Sequence, residues 1–312
     1  MAARILTSLA HGTFFGVGSV VATSLVAADK RASAIATMFM GLTVATLLGV
    51  PFGAWLGLRL GWRAAFWAVA AIGVVALVVL SVFVPKGVGA DAAAHEDTPA
   101  EPGLAHTSGA APSLREELAV LTHGPVKTAL IVTVLGFAGL FTVFTYIQPI
   151  LTRLSGFSTA AVSPILLVFG AGLSIGNIVG GRLADRNLTR ALPGTLAALA
   201  LVLVIFAPAM GSKAGAVAMV GLLGAAAFAT VAPLQLWVLQ KAGPAGQTLA
   251  SSLNIAAFNL GNALGAWAGG VTLDRGPGLA ALPWVAAGIT TLGLALALWS
   301  QRRTKVAWVT AS

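Results

Sequence analysis

The sequence contains no cysteine, which excludes disulfide bonds, thiol nucleophiles and cysteine-based metal sites. Charged residues are scarce at 9%, whereas they make up about a quarter of a typical soluble domain. Four scattered histidines argue against a metal site of another kind. Hydrophobic residues reach 58%, and the mean hydropathy is +0.93. The composition therefore excludes a soluble globule and predicts an all-α polytopic membrane protein.

Nine apolar segments are each long enough to cross about 30 Å of hydrocarbon as a helix. They are 4–28, 33–58, 64–84, 126–151, 162–181, 192–210, 214–240, 249–273 and 281–300. The first segment has an alternative interpretation as a signal peptide, with Val26-Ala27-Ala28 as the cleavage region. The stripe of Ser8, Gly12 and Gly16 favours a permanent, packed helix instead.

A hydrophilic interval separates the first three segments from the other six. Residues 86–112 are rich in Ala, Gly, Pro and acidic residues and predict a disordered linker. Ser113 and Glu116 form a capping box that predicts a short amphipathic helix before residue 124. The predicted domains are therefore 1–85 with three helices, 86–124 as a cytoplasmic linker, and 125–312 as a six-helix bundle.

The formal charge of +9 comes from basic residues that lie singly or in pairs between apolar segments. They are not interleaved with aromatic residues, so membrane topology explains them better than nucleic-acid binding. With the N-terminus outside, twelve Lys and Arg residues fall on the inner side and six on the outer side. This bias predicts a cytoplasmic C-terminus in a bacterial plasma membrane.

A charged stretch between the fifth and sixth segments is the most distinctive motif in the chain. It reads Gly180-Gly181-Arg182-Leu183-Ala184-Asp185-Arg186 and continues to Arg190. Gly172, Gly176 and Gly180 recur every four residues before it, which predicts close packing of another helix. Asp185 has arginines on both sides, and such opposed charges at a helix junction can hold two helices in one conformation and release them in another. An ordinary positive-inside loop is the alternative.

This motif resembles the G-x-L-A-D-R-x-x-R loop of the major facilitator superfamily, and other stretches support the resemblance. Arg4 followed by Gly12, Gly16 and Gly18 is similar to a fourth-helix pattern that is associated with proton coupling in that family. The pattern of Gly49, Pro51, Gly53 and Gly57 resembles a fifth-helix packing motif of antiporters. Residues 9–16, 30–34, 61–63 and 254–262 look like the arabinose-efflux-permease-like, drug:proton antiporter branch.

The resemblance implies twelve helices in two halves, and the nine segments here correspond to helices four to twelve. We therefore expect a chain that lacks the first three helices, either as a genuine fragment or because Met1 is an internal methionine. It implies export of a small organic molecule, drug-like or sugar-like, in exchange for protons. An inactive or regulatory fragment that only associates with other membrane proteins is the alternative. The expected partners are the lipid bilayer, a substrate and protons, without nucleic acid or a cofactor, and no catalytic cluster indicates an enzyme.

Polar residues inside apolar segments are costly and therefore informative. No Asp or Glu falls in the middle of a segment, so the proton-coupling candidates are Arg4, implied by the resemblance, and His11, the only histidine within a segment. A neutral, hydrogen-bonded His11 is the alternative. Seven further residues are predicted to line a substrate cavity, with interhelical hydrogen bonding as an equal alternative: Tyr146, Gln148, Asn177, Gln235, Asn254, Asn259 and Asn262.

Overall fold

The computed structural model describes residues 2–83, 120–243 and 246–309, and all regular structure in these ranges is helical. The α-helices longer than three residues are α1 (Ala2–Ser24), α2 (Arg31–Val44), α3 (Val50–Leu60), α4 (Trp62–Phe83), α5 (Gly124–Phe144), α6 (Thr159–Ala209), α7 (Lys213–Ala229), α8 (Val231–Ala242), α9 (Gln247–Arg275) and α10 (Leu282–Val309). Each of the nine predicted segments lies on one or more of these helices. The all-α membrane class is therefore confirmed.

Six helical stretches in the described ranges are long and apolar enough to cross a membrane: Ala28–Gly49, Trp62–Val82, Gly124–Phe144, Thr159–Ala209, Lys213–Ala242 and Leu279–Arg303. Helix α6 counts once among them although it is 51 residues long and has non-helical backbone at Asn187. Helices α1 and α9, with 23 and 29 residues, correspond to predicted segments but are not among the six. The count of nine spans stays a prediction.

The charged motif is helical over most of its length, whereas the sequence predicted a turn. The chain breaks only at Asn187, where φ is −165° and ψ is 95°. The side-chain oxygen of Asn187 accepts a hydrogen bond from the backbone N–H of Arg190 at 3.0 Å. This is the bond that an N-cap residue makes to the first turn of a helix, so Asn187 starts the second arm of α6. The arms are residues 159–186 and 188–209.

Between α2 and α3 the chain forms a π-helical turn over Ala45–Gly49. Pro51 follows immediately, in the first turn of α3. Proline has no backbone N–H and cannot donate to the carbonyl four residues earlier, so the regular α-helical ladder is interrupted at this point.

The predicted linker at 86–112 and the capping box at 113–116 lie outside the described residues. A short 3₁₀ turn, Val120–Thr122, leads into α5. The division into 1–85, 86–124 and 125–312 stays a prediction. Below, helices α1 to α4 are called the first group and helices α5 to α10 the second group.

Stripes of glycine bring helices of the second group into backbone contact. A methyl group on Gly172, Gly176 or Gly180 of α6 would collide with the backbone of Gly221, Ala225 or Ala229 of α7. A second stripe, Gly261, Gly265 and Gly269 of α9, faces the backbone carbonyls of Val134, Ala138 and Thr142 of α5. Side chains at these positions would force the helices apart, and the predicted packing face of α6 is therefore confirmed.

Candidate functional site

The site that the charged motif helps to build is the interface between the two groups of helices. Helix α2 runs antiparallel to the first arm of α6, and contacts follow each other along the pair from Asp185 to Gly170. We call this pair the α2/α6 seam.

Asp185 caps the N-terminus of α2 from the neighbouring group. Its two carboxylate oxygens accept hydrogen bonds from the backbone N–H groups of Ala32, at 2.7 Å, and Ser33, at 3.0 Å. Both N–H groups belong to the first turn of α2, which begins at Arg31 and has no cap from its own N-cap residue, Lys30. First-turn N–H groups have no acceptor within their own helix, and the positive end of the helix dipole favours a carboxylate there. Asp185, on another helix, thus supplies the hydrogen-bond acceptors that an N-cap side chain normally supplies.

The sequence had suggested arginine partners for Asp185, and this is corrected by the structure. Arg182, Arg186 and Arg190 are all exposed. Within the described part of the chain, none of them forms an ion pair with Asp185, whose interactions are the two bonds to α2. The arginines lie on the outer surface of α6, while the carboxylate points toward the first group.

Gly180 and Gly181 allow one helix to contact two neighbours at the level of Asp185. A Cβ on Gly180 would collide with the backbone of Ala229 in α7. A Cβ on Gly181 would lie 2.8 Å from the Cβ of Ala36 and 3.2 Å from the Cα of Ser33 in α2. The pair of glycines therefore lets α6 pack closely against α7 of its own group and α2 of the first group. At this distance Asp185 reaches backbone N–H groups of α2.

Asn177 makes the next contact along the seam. It is fully buried, and its Nδ2 donates a hydrogen bond of 2.6 Å to the backbone carbonyl oxygen of Ala36. Its Oδ1 is buried without a hydrogen-bond partner among the described residues. A substrate-cavity role and interhelical hydrogen bonding were equal alternatives for Asn177, and in this structure it joins two helices.

The seam ends near the π-helical turn. A Cβ on Gly170 would contact the side chain of Leu47, which is the last seam contact toward α3. Beyond it, Gly49, Gly53 and Gly57 have no atom within 4 Å of an added Cβ in the described part of the chain. The side chains on this stretch are also exposed, for example 63% for Leu48 and 52% for Trp55. No described helix fills the predicted packing motif of Gly49, Pro51, Gly53 and Gly57, so its role stays a prediction.

A buried polar network forms a second contact between the groups. Gln235 of α8 donates through Nε2 to the hydroxyls of Ser19 in α1, at 3.2 Å, and Ser251 in α9, at 2.5 Å. Asn254 of α9 donates to Oε1 of Gln235 at 2.7 Å. Ser251 in turn donates to the backbone carbonyl of Gly16 in α1 at 2.8 Å. All four side chains are fully buried, so hydrogen bonding to one another replaces the water that they lack.

Two of the predicted cavity residues, Gln235 and Asn254, are therefore brought together, but as an interhelical network. The bonds Gln235 to Ser19 and Ser251 to Gly16 connect the two groups, while the other two lie within the second group. Asn254 keeps one buried acceptor, Oδ1, without a partner among the described residues. Ser19 and Ser251 were missed by the sequence analysis. The three-residue spacing between Ser251 and Asn254, which puts both on one face of a helix, is a signal that could have identified Ser251 but not Ser19.

Comparison with known proteins agrees with this architecture. The profile of the Major Facilitator Superfamily matches residues 1–266. The chain belongs to the major facilitator superfamily.

Relatives in this superfamily cover most of the chain. The "Inner membrane transport protein YdhP" of Escherichia coli O157:H7 is 45% identical over 97% of this chain and 73% of its own length. The "Chloramphenicol resistance protein" of Streptomyces lividans is 34% identical over 95% of this chain and 72% of its own length. The "Putative transporter AraJ" of Escherichia coli K12 is 32% identical over 88% of this chain and 64% of its own length. These matches identify the protein as a transporter-family, multi-pass bacterial membrane protein.

The remaining candidate residues of this superfamily member lie apart from the seam and the network. Tyr146 donates to the backbone carbonyl of Ala266 in α9 at 2.9 Å. Asn259 is exposed and bonds only within its own helix, to the carbonyl of Ile255. Gln148 is exposed, and Asn262 has an Oδ1 that is buried without a partner among the described residues. Asn177, Gln235 and Asn254, by contrast, are fully buried in helix contacts, and the cavity role of the other four stays a prediction.

The two proton-coupling candidates are both on α1. His11 is exposed, and its ring lies 4.8 Å from that of Phe15. Backbone around Arg4 is helical, but its side chain lies outside what the structure describes. Gly12, one turn from His11, has open space around it, whereas Gly16 is in contact with Ser252 of α9. Helix α1 thus contacts the second group at Gly16, and His11 lies five residues before that contact on the same helix.

Proposed function

We propose that this protein acts in secondary active transport and exports a small organic molecule in exchange for protons. The observation that carries this proposal is the cap that Asp185 places on α2. It joins the two helix groups by two hydrogen bonds, at one end of a seam whose other end is open. Such a junction can be made and broken without unfolding either group, which is what alternating access requires of an interface.

The energies involved are of the size that a conformational switch needs. Six of the described hydrogen bonds connect the two groups. Two are the bonds from α2 to Asp185, two lie along the rest of the seam, and two belong to the polar network. A net hydrogen bond contributes about 0.5–1.5 kcal/mol, and part of that is recovered when water or another partner replaces it. These hydrogen bonds are therefore worth a few kcal/mol together, comparable with the gap between two conformations that both become populated. Apolar side chains such as Ile35 and Phe39 of α2 pack in a core shared with the second group and add to the junction.

In this proposal Gly180, Gly181, Asp185, Arg186 and Arg190 belong to a cytoplasmic latch. The twofold excess of basic residues on that side of the predicted topology supports the orientation, with the C-terminus on the same side. A second contact surface, at the end of the molecule opposite the latch, forms when the latch opens. Its residues are Gly49, Pro51, Gly53 and Gly57. Glycines with open space around them, next to a π-helical turn, suit such a contact because they allow another helix to approach closely.

A drug-like substrate is favoured for the transport step. One relative bears the name of a chloramphenicol resistance protein, and resistance by a membrane transporter is simplest to explain by export. His11 is our candidate for the proton-carrying group, because it is an exposed histidine on α1, the helix that contacts α9 at Gly16. Asn259, Asn262 and Gln148 are candidates for polar substrate contacts, because they remain outside the closed network.

Transport by the purified full chain in proteoliposomes tests the proposal. Radiolabelled chloramphenicol is supplied outside, and an imposed pH gradient drives uptake through those molecules that are inserted in the opposite orientation. We expect accumulation that depends on the gradient and falls in the variant His11→Phe, which keeps a ring of similar size. Accumulation in the absence of a pH gradient, or an undiminished rate in the variant, would contradict proton coupling through His11. Absence of any gradient-dependent uptake for a panel of drug-like and sugar-like compounds would contradict export itself.

A second candidate function, association with other membrane proteins, is supported by one observation. No residue of Trp62–Val82 is buried, although this is the most apolar of the six candidate spans. Such a helix offers a large exposed apolar surface. Crosslinking in membranes through a photoreactive residue at Trp67 would capture a partner protein if association is the function, and only lipid if α4 faces the bilayer.

A further inference from the structure

A groove lies on the surface of the α2/α6 seam, directly beside the Asp185 cap. Its volume is about 340 Å³, and six residues line it: Ser33, Ala36, Thr37 and Met40 from α2, and Ile178 and Arg182 from α6. Ser33 belongs both to the groove and to the cap, because its backbone N–H bonds to Asp185. The groove is therefore walled by both helix groups at their closed end.

The lining changes from polar to apolar along the groove. Ser33 is opposite Gly181, so it lies at the same level as Arg182 and marks the polar end. Met40 is seven residues further along α2, which places it about 10 Å away at 1.5 Å per residue. Ile178 is one turn before Arg182 on α6 and leads in the same direction. A guanidinium and hydroxyls at one end and aliphatic side chains at the other match the layout of a phospholipid at a membrane surface.

The guanidinium group of Arg182 is free to bind a ligand in the groove. Arg182 is exposed and makes no hydrogen bond or ion pair with another residue in the described ranges. The nearest acid of its own motif, Asp185, is engaged by α2. A guanidinium presents paired N–H donors that fit two oxygens of a phosphate group, and Ser33 adds a hydroxyl on the facing wall. The hydroxyl of Thr37 donates to the backbone carbonyl of Ser33 and is not counted as a donor to the ligand.

We propose that this groove binds one anionic phospholipid. The phosphate lies against Arg182, and an acyl chain follows Met40 and Ile178 toward the centre of the membrane. Because the lipid contacts both walls, it stabilises the closed seam and disappears from the site when α2 and α6 separate. The site is distinct from the surface where substrate contacts were proposed, and it does not depend on whether the chain transports drugs.

Native mass spectrometry of the purified full chain tests the site. The protein is equilibrated in mixed micelles in which phosphatidylglycerol is titrated against phosphatidylcholine, and the first phosphatidylglycerol adduct is quantified. We expect one adduct that saturates before the others. Arg182→Gln weakens it by about fivefold, the change that corresponds to about 1 kcal/mol per basic residue at an anionic surface. The matched control Arg190→Gln removes an exposed arginine of the same motif that does not line the groove, and it leaves this adduct unchanged.

Two further arms separate the groove from general charge attraction and from binding of a free anion. Thr37→Trp fills the exposed side of the groove without altering charge, and we expect it to abolish the first adduct. Excess inorganic phosphate does not displace the lipid if the acyl chain contributes to binding. Equal weakening by Arg182→Gln and Arg190→Gln, retention of the adduct in Thr37→Trp, or displacement by inorganic phosphate would each overturn the proposal.

Discussion

Substitution of Asp185 by asparagine tests the latch with the smallest possible change in the side chain. Asparagine keeps the size of the side chain and one acceptor oxygen, but the charge and the second acceptor are lost. The carboxylate now accepts two bonds, from Ala32 and Ser33, and the variant can keep only one of them. Loss of one hydrogen bond costs about 0.5–1.5 kcal/mol, and loss of the interaction with the helix dipole costs about 0.3–1 kcal/mol.

The expected total is about 1–2 kcal/mol of the preference for the closed seam, which is a shift of the open-to-closed ratio by about 5- to 30-fold. Folding and insertion should be unaffected, because the helices of the second group remain held by the glycine stripe of α6 against α7. Asp185→Asn is therefore expected to express normally while the open conformation becomes populated and transport falls. The larger change Asp185→Ala removes both bonds and should shift the ratio further.

The absence of cysteine makes the measurement direct, since spin labels can be attached at two introduced thiols without background. Ala28→Cys and Thr189→Cys place labels at exposed positions on either side of the Asp185 end of the seam. Distances between the labels should include a longer population in Asp185→Asn. Asp29→Asn is the matched control, because Asp29 is exposed and removal of its charge leaves the cap intact. The reasoning is refuted if Asp185→Asn and the control give the same distance distribution. Failure of Asp185→Asn to insert would mean that the residue is structural.

Three further predictions concern the network, the glycine stripe and the linker. Gln235→Leu removes the hydrogen bonds to Ser19, Ser251 and Asn254 and leaves the buried Nδ2 of Asn254 without an acceptor. It should lower the free energy of unfolding in a thermal-melt assay by about 1–3 kcal/mol, whereas Gln148→Leu, at an exposed glutamine, should change little. Equal effects would show that the network contributes nothing specific. Gly176→Ala places a methyl group against the backbone of α7 and should lower the free energy of unfolding by about 1–3 kcal/mol in the same assay. The control Gly194→Ala, where no atom lies within 4 Å of an added Cβ, should be neutral or stabilising. A neutral Gly176→Ala would show that α6 and α7 can move apart freely. Limited proteolysis should cut first within 86–112, and protection of that interval equal to that of the helices would contradict a linker.

The sequence alone determined the class of the protein and the position of its helices. Long apolar segments with few charges are expected to form helices, because backbone polar groups cannot bond to water in lipid and a helix satisfies them internally. The same reasoning identified the glycine stripe of α6, since small residues at four-residue spacing leave a helix face free for backbone contact. It also singled out Asp185, because an acid among arginines at the end of an apolar segment is unusual.

Only the tertiary structure decided what these residues contact. The partners of Asp185 are backbone N–H groups of Ala32 and Ser33, and every residue type except proline carries such a group, so no side-chain pattern marks them. Gln235 and Asn254 have the polarity of cavity residues, and whether a polar side chain meets a ligand or another helix depends on the distance between helices. Here the helices are close enough for Ser19 and Ser251 to complete the hydrogen bonds. The separation of helices across an interface is set by the packing of many side chains at once, and it is not encoded at any one position.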